Sequence, residues 1–455
     1  MKKVIGMAYV ILISIRLFGE TKTVVELQQA ALSENPRIKA MEAESQMMKK
    51  RIPQSDALED PKLKVAANSL SAKTFSNPRD NMTSRGLGTS QVTQGKAYEE
   101  MPPYLEFGIS QMIPIGKLGY RRKIAVQEYE RAVFKLKAEK VETLHMLRMN
   151  YYELVFVRSS IKILEDIKRQ IKLVIDSEVA ATKAGMGSLS NVIKAKIESN
   201  MVDEEIIILR QKQKEIEEKI NYLTGRRLEV KSDKLPEPDF KQVRVEAARK
   251  EIIASNPQLK IISLDTEISK SEISLKKSEY APDVDIGFSY MRQRDTVKRR
   301  MDEVMIDMNG PSLLNRTEKM KRDDMVSFMV TFNIPFWFWK KNIPMVEEMK
   351  KKYDASKNLY QDKLNEVNAR AETLVSQIVK WRDLYKLYRD KLIPQTQLAL
   401  ETNLARYRTG SVEFMPVVDT VRMLLRFKKE LVMAVREYYT SYSELNALMG
   451  IEVLQ

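Results

Sequence analysis

Between Asn342 and Gly410 the apolar and aromatic positions Leu364, Val367, Ala371, Leu374, Ile378, Trp381, Tyr385, Tyr388 and Leu392 follow one another at steps of three and four. That is a heptad seam of period 3.5, which on an α-helix keeps one stripe turned to a partner helix. An unbroken helix from Asn342 to Arg408 would run roughly 100 Å at 1.5 Å per residue. No compact core needs a rod of that length, so it must lie along other rods.

Earlier in the chain the period changes twice. Val24 to Ile52 has helical character, with Asn35-Pro36 as a turn and restart, because proline is tolerated in the first turn of a new helix. Asp60-Pro61 ends that region. Leu63, Val65 and Ala67 then alternate with Lys62, Lys64 and Ala66, a strand period. Residues 71 to 103 are polar and turn-rich, and Leu105, Phe107 and Ile109 alternate again before Ile113-Pro114-Ile115-Gly116. From Lys117 a helical face resumes (Leu144, Leu147, Tyr151, Leu154, Ile161, Leu164), breaks at Gly185 and Gly187, and returns through Ile206, Leu209, Ile216, Ile220 and Leu223 to Gly225.

The same plan then repeats. Asn256-Pro257, Ala281-Pro282 and Ile334-Pro335 echo Asn35-Pro36, Asp60-Pro61 and Ile113-Pro114 at an offset of 221, while Gly410 and Gly450 echo Gly185 and Gly225 at 225. Landmarks at a near-constant offset indicate duplication. The predicted organisation is a first repeat over 21–225, a linker over 226–245 and a second repeat over 246–450. Strands are predicted near 62–70, 104–113, 283–291 and 326–335. The step from 221 to 225 places four extra residues in the second long arm as a stutter, and Pro394 is expected to kink that arm.

Composition narrows the chemistry. Charged residues make up 31% and aromatic residues 7%, a balance that suits long solvated helices. There is no cysteine, which removes disulfides, thiolate metal sites and a cysteine nucleophile. His145 is the single histidine and reads as a packed or solvated helix residue, not a ligand. The net charge of +15 suits nucleic acid or an anionic lipid surface, but both signs are mixed throughout, as on solvated helix faces. Lys2 and Lys3 before the apolar run Val4–Ile15 read as a secretory signal over 1–20, a run too short to span a bilayer. Gly95-Lys96 lacks the flanking residues of a phosphate loop, and no catalytic constellation or cofactor motif appears. The methionines Met291, Met301, Met305, Met308, Met320, Met325 and Met329 could offer thioethers to Cu(I) or Ag(I), or simply fill gaps. Arg292, Arg294, Lys298, Arg299 and Arg300 form a basic cluster that is either a solvated loop or a contact for lipopolysaccharide phosphate.

Val284, Ile286, Phe288 and Tyr290, and likewise Val326, Phe328, Val330, Phe332 and Ile334, alternate over about nine residues, the length of a tilted transmembrane strand. Alternation alone fits an ordinary hairpin packed on helices equally well; the long linkers 71–103 and 292–325 favour a membrane barrel with long outer loops. Four strands cannot close such a barrel, and an open edge in lipid leaves backbone groups unsatisfied. Three copies would supply twelve strands. The expected fold is therefore mixed but mostly α: an internally duplicated trimer with a 12-stranded transmembrane β-barrel, four strands per chain, and a long α-helical coiled-coil barrel.

Taken together, the duplicated Asn-Pro entry, the strand ends 110–118 and 332–336 and the turns 183–185 and 406–410 resemble the TolC-like outer membrane factors over about residues 24–450. Asp60-Pro61-Lys62-Leu63 with the run from Gly108 to Leu118 resembles the heavy-metal (CzcC- and CusC-like) branch. The resemblance implies no enzyme, no cofactor and no nucleic acid. It implies instead a homotrimer in outer-membrane lipid whose helical part reaches into the periplasm, working with a periplasmic adaptor and an inner-membrane pump of the RND type. It further implies adaptor docking at the tip residues Gly185, Gly410 and Arg408, and a constriction by acidic rings just beyond the second turn. Nine positions past Gly410 stands Asp419, matching the family's carboxylate; six past it stands Pro416 where the family often has Asp, and six past Gly185 stands Asn191. Asp419 and Asn191 are the gate candidates, although an exposed helix residue explains Asp419 too. Phe336, Trp337 and Trp339, with Phe338, suit either an interfacial aromatic belt or a packed collar. The rival class is an elongated soluble coiled-coil scaffold; the same fold exporting drugs or secreted peptides is a further alternative.

Overall fold

The computed structural model describes residues 21–68, 104–185, 187–230, 237–238, 240, 243–293, 296–307, 310–409 and 411–452; for 296–320 it describes the backbone alone. In order come β1 (Thr21–Lys22), α1 (Val24–Glu34), α2 (Pro36–Ser55), β2 (Lys62–Asn68), β3 (Tyr104–Ile113), α3 (Leu118–Lys183), α4 (Leu189–Thr224) and β4 (Glu229–Val230). There follow α5 (Val245–Ser255), α6 (Pro257–Ser278), β5 (Asp283–Gln293), β6 (Thr296–Asp307), β7 (Gly310–Met320), β8 (Met325–Asn333), α7 (Asn342–Leu387), α8 (Ile393–Arg408) and α9 (Phe414–Leu448). The chain divides into two compact units, one of Met1–Ile52, Ala125–Lys270 and Lys351–Gln455, the other of Pro53–Ile124 and Ser271–Lys350.

In the helical unit the heptad seam does what its period demands. Val367, Ala371, Leu374 and Ile378 are buried together with Leu259, Tyr438 and Leu445, and Tyr385 is buried beside Ala434 and Val435. Leu147, Tyr151, Leu154, Ile216 and Ile220 bury a second cluster with Leu27 and Ala31 of α1. Burying each such side chain stabilises by about 1.5–3 kcal/mol relative to exposure. The Asn-Pro and Gly landmarks meet in space. Asn35 Nδ2 donates to the Leu223 carbonyl at 2.8 Å, and Asn256 Nδ2 donates to that of Leu448 at 2.7 Å. Each asparagine also caps the helix it precedes, Asn35 Oδ1 accepting from Arg37 N–H and Asn256 Oδ1 from Leu259 N–H, both at 2.8 Å.

In the other unit β2, β3, β5 and β8 form one antiparallel sheet in that order. Register aligns the apolar positions in rows: Leu63, Ile109, Phe288 and Phe328 stand side by side, as do Val65, Phe107, Tyr290 and Val326. One face is therefore apolar yet uncovered, Leu63 being 76% and Phe328 71% exposed. The other face carries Lys64, Gly108, Ser289 and Ser327 in register. Among the described residues β2 and β8 have no partner on their outer edges. Lys117, just ahead of α3, is pinned to the start of β5 by a largely buried ion pair with Asp283 at 2.5 Å.

Several sequence expectations need correcting. Strands run over 62–68, 104–113, 283–293 and 325–333, beside the stretches 62–70, 104–113, 283–291 and 326–335 read from sequence, with residues 69–70 outside the described ones. The stretch 292–325 is not simply a long loop: β6 and β7 pair antiparallel as a separate hairpin, with a bulge between Arg300 and Glu303. Nor do four extra residues lengthen the second helical arm. α7, a π turn at Tyr388–Leu392 and α8 contribute 46, 5 and 16 residues, one more in all than the 66 of α3. Measured from the Ile-Pro landmarks, three of the four surplus residues lie ahead of α7, where seven residues (335–341) do the work of four (114–117) before α3, and the fourth is the extra residue of the arm. At Pro394 the arm widens without breaking. Proline removes one N–H and crowds the carbonyl four residues back, and the π turn, with Ile393 N–H bonded to the Tyr388 carbonyl, absorbs the mismatch. The apolar start (1–20) and the linker 71–103 lie outside the described residues, as does Met308; so do the side chains of Met301, Met305, Met320 and the basic run 298–300.

His145 is half-buried on α3 with Nδ1 3.2 Å from Ser443 Oγ on α9. Burial lowers its pKa below the ordinary 6.5, and Arg148 and Arg370 lower it too, outweighing the opposite pull of Glu142 and Glu444. A base with a depressed folded pKa lends its full stability above the unfolded value. As pH falls through 6.5 the unfolded chain takes the proton first and stability drops. His145→Gln is expected to flatten the loss of urea resistance between about pH 7 and 5. Parallel curves for the two proteins would show that the histidine titrates alike in both states.

Candidate functional site

The sequence signals converge on the ends of the two helical hairpins. α3 stops at Lys183, where Gly185 takes the left-handed conformation (φ +74°) that a glycine reaches without strain, its N–H bonded to the Thr182 carbonyl at 3.1 Å. Gly187 is needed for a different reason: a Cβ there would lie 2.6 Å from Thr182 N. Its own N–H returns to the Ala181 carbonyl at 3.0 Å. The second hairpin turns between Arg408 and Phe414, with Ser411 N–H bonded to the Arg406 carbonyl at 2.9 Å. Phe414 is fully buried under the turn, with Leu164, Ile167, Ile171, Val174, Val417 and Val421 in one apolar cluster.

Within this apolar setting sits one carboxylate. Glu178 is 2% exposed and follows Ile167, Ile171 and Val174 on the buried stripe of α3. Its Oε1 accepts from Ser188 N–H and from Asn191 Nδ2, both at 3.1 Å, and its Oε2 accepts from the Tyr407 hydroxyl of the other hairpin. A buried carboxylate is tolerable only when hydrogen-bonded in this way. It clamps the first turn to the second. Around it opens a cavity of about 640 Å³, lined by Glu178, Asn191, Tyr407, Arg408, Ser411 and Glu413 among others.

Two of the residues singled out in the sequence, Asn191 and Arg408, thus share one cavity, with Gly185 shaping the adjoining turn. Asp419 does not line that cavity. It is exposed on α9, 3.4 Å from Arg422, whose Nε donates to Glu198 Oε2 at 2.8 Å. Gly410 lies outside the described residues. Phe336, Trp337 and Trp339 stand in the other unit ahead of α7, exposed and packed edge-to-face, with ring centroids 5.3 Å (Phe336–Trp337) and 5.5 Å (Trp337–Trp339) apart. Sequence reasoning missed Glu178. Its signal was there, a charged residue on a stripe otherwise apolar at steps of three and four.

A ladder of opposite charges ties α9 to α4 and α3. Arg422 pairs with Glu198, Lys429 with Glu205, and Arg436 and Lys212 share Glu153. Burial pushes the Glu153 carboxyl up, but hydrogen bonds from Lys212 and Arg436 more than reverse this and hold it below its ordinary value. Among the described residues no group of three or more His, Cys, Asp or Glu could hold a metal ion, and no helix is long and apolar enough to cross a membrane.

The family profile described as outer membrane efflux protein matches residues 27–226 and again 248–451. The chain belongs to the outer membrane efflux protein family. It is therefore a channel protein of the TolC-like kind and not an enzyme. This outer membrane efflux protein shares its fold with the CusC channel at 13% identity and a TM-score of 0.74, over 95% of this chain and 93% of that one. It is similar to the outer membrane protein VceC of Vibrio cholerae (14% identity, TM-score 0.71, 94% and 96% of the two chains). It also resembles the CmeC outer membrane channel of Campylobacter jejuni (11% identity, TM-score 0.69, 94% and 85%). No curated protein sequence matches this efflux protein.

Proposed function

We propose that three copies of this chain form the outer-membrane exit duct of a tripartite efflux pump. On this reading residues 1–20 are an export signal, and the repeats 21–225 and 246–450 each supply two barrel strands and one helical hairpin. The observation that carries it is the sheet β2-β3-β5-β8: one face apolar and exposed, the other polar, and both edges unpaired among the described residues. In lipid such edges must find partners, and β8 of one copy beside β2 of the next closes twelve strands with every neighbour antiparallel. A second support is α4, where Leu189, Ile193, Ile197 and Met201 recur every four residues and are each more than half exposed, a seam left for a neighbouring copy. The collar Phe336–Trp339 then sits at the lipid interface. The hairpin ends face the periplasm, where an adaptor docks at Gly185, Arg408 and Gly410 and couples the duct to an inner-membrane pump of the RND type. Asp419 and Asn191 narrow the lumen. The likeness of Asp60-Pro61-Lys62-Leu63 and 108–118 to the heavy-metal branch makes metal cations the cargo to test first.

The absence of cysteine makes the test clean. A cysteine at Leu63 or Val65 combined with one at Val326 or Phe328 is expected to give, on oxidation in outer-membrane vesicles, covalent dimers and trimers on denaturing gels. Monomers from every combination would end the proposal. Asp419→Ala is expected to raise single-channel conductance about twofold in planar bilayers, because removing three lumenal carboxylates widens the constriction and relaxes its field. Unchanged conductance would remove Asp419 from the gate.

A further inference from the structure

A second cavity, of about 290 Å³, opens between α3 and the α8–α9 hairpin. Its floor is apolar, made by Val174, Leu400, Leu404, Val421 and Leu424. Its rim carries Arg408, Lys428 and a single carboxylate, Glu401. Among the described residues neither cation has an anionic partner, although cation–carboxylate pairs are frequent elsewhere on these helices. Volume and lining are those of a small-molecule site at the lower end of the usual range, apolar within and with a few polar groups at the mouth.

We infer that this cavity binds a small amphipathic anion, such as a medium-chain carboxylate. The alkyl chain lies against the leucines and valines, and the carboxylate lies between the Arg408 guanidinium, whose planar fork suits it, and the Lys428 ammonium. Two rim cations against one carboxylate favour an anion over a cation of equal chain length. Tyr407 lines this cavity and also donates to Glu178, so an occupant touches the side chain that joins the two hairpin turns. The inference goes beyond the duct reading, because binding is read on the purified protein whether or not it conducts.

The test is calorimetric titration of the full-length protein in lipid nanodiscs with octanoate, and with octylammonium as the charge-reversed control, empty discs being subtracted. Octanoate is expected to bind saturably and octylammonium at least fivefold more weakly. Lys428→Gln should weaken octanoate about fivefold, and Lys428→Glu more than tenfold while improving octylammonium. Leu404→Trp, which fills the floor, should abolish both; if that variant fails to fold, the two rim variants decide alone. Equal binding of the two probes, or octanoate binding unaffected by Lys428→Glu, would overturn the site.

Discussion

Glu178→Leu should loosen the ends of the two helical hairpins from one another. The substitution keeps the bulk but strips the partner from three donors: Ser188 N–H, Asn191 Nδ2 and the Tyr407 hydroxyl. Each buried donor left unpaired costs about 1–3 kcal/mol, so roughly 4 kcal/mol of local stability should go. Leucine on an already apolar stripe offsets little of this, because Ile171 and Val174 are packed whether or not position 178 joins them. Local opening should then be about a thousandfold more frequent, read as faster hydrogen exchange in residues 176–192 and 404–415, with exchange in the far part of α7 unchanged. Tyr407→Phe removes one of the three bonds and should give about tenfold. If Glu178→Leu exchanges like the natural protein, the clamp is not what joins the turns. In the proposed trimer the same variant should raise conductance, since it frees all three second hairpins at once.

What the sequence disclosed, and what it hid, follows from which forces leave a period behind. β2, β3, β5 and β8 were legible because one face is apolar and the other polar, so burial or lipid contact writes a two-residue alternation. β6 and β7 left no such trace: Lys298, Arg299 and Arg300 stand opposite Glu318, Thr317 and Arg316, charged and polar positions with no two-residue alternation of apolar ones. The heptad seam was plain, whereas the π turn beside Pro394 could not be read, because proline signals a lost hydrogen bond but not how the helix absorbs it. The surplus of four residues was visible as a change of offset; only the structure puts three of them in the turn that carries Phe336, Trp337 and Trp339 and one in the arm. Lys117 stood in a motif without a role until Asp283, 166 positions away, supplied its partner. Asn191 and Arg408 were named from sequence, and Glu178 could have been too, as the charge that breaks an apolar stripe.

The glycine landmarks lead to the sharpest stability test. Gly116, Gly225 and Gly450 share nearly one backbone conformation, with φ of 71°, 73° and 66°. An alanine at any of them therefore pays the same left-handed penalty, about 1 kcal/mol. Their surroundings differ. Around Gly116 a Cβ meets nothing within 4 Å, at Gly225 it reaches Glu34 O at 3.0 Å, and at Gly450 it would lie 2.5 Å from Ser255 O and 2.9 Å from Pro257 Cδ. Neither neighbour of Gly450 can yield cheaply, for both belong to the backbone or ring of the Ser255-Asn256-Pro257 junction. Pushing them away also stretches the bond from Asn256 Nδ2 to the Leu448 carbonyl. Gly450→Ala is thus expected to cost about 4 kcal/mol, Gly225→Ala about 2 and Gly116→Ala about 1. Urea midpoints of the three variants should fall in that order, and hydrogen exchange in Gly450→Ala should rise first at 252–259 and 445–450. Equal midpoints would mean that backbone conformation alone selects these glycines, and that the close approach of each helix end to its Asn-Pro junction contributes nothing.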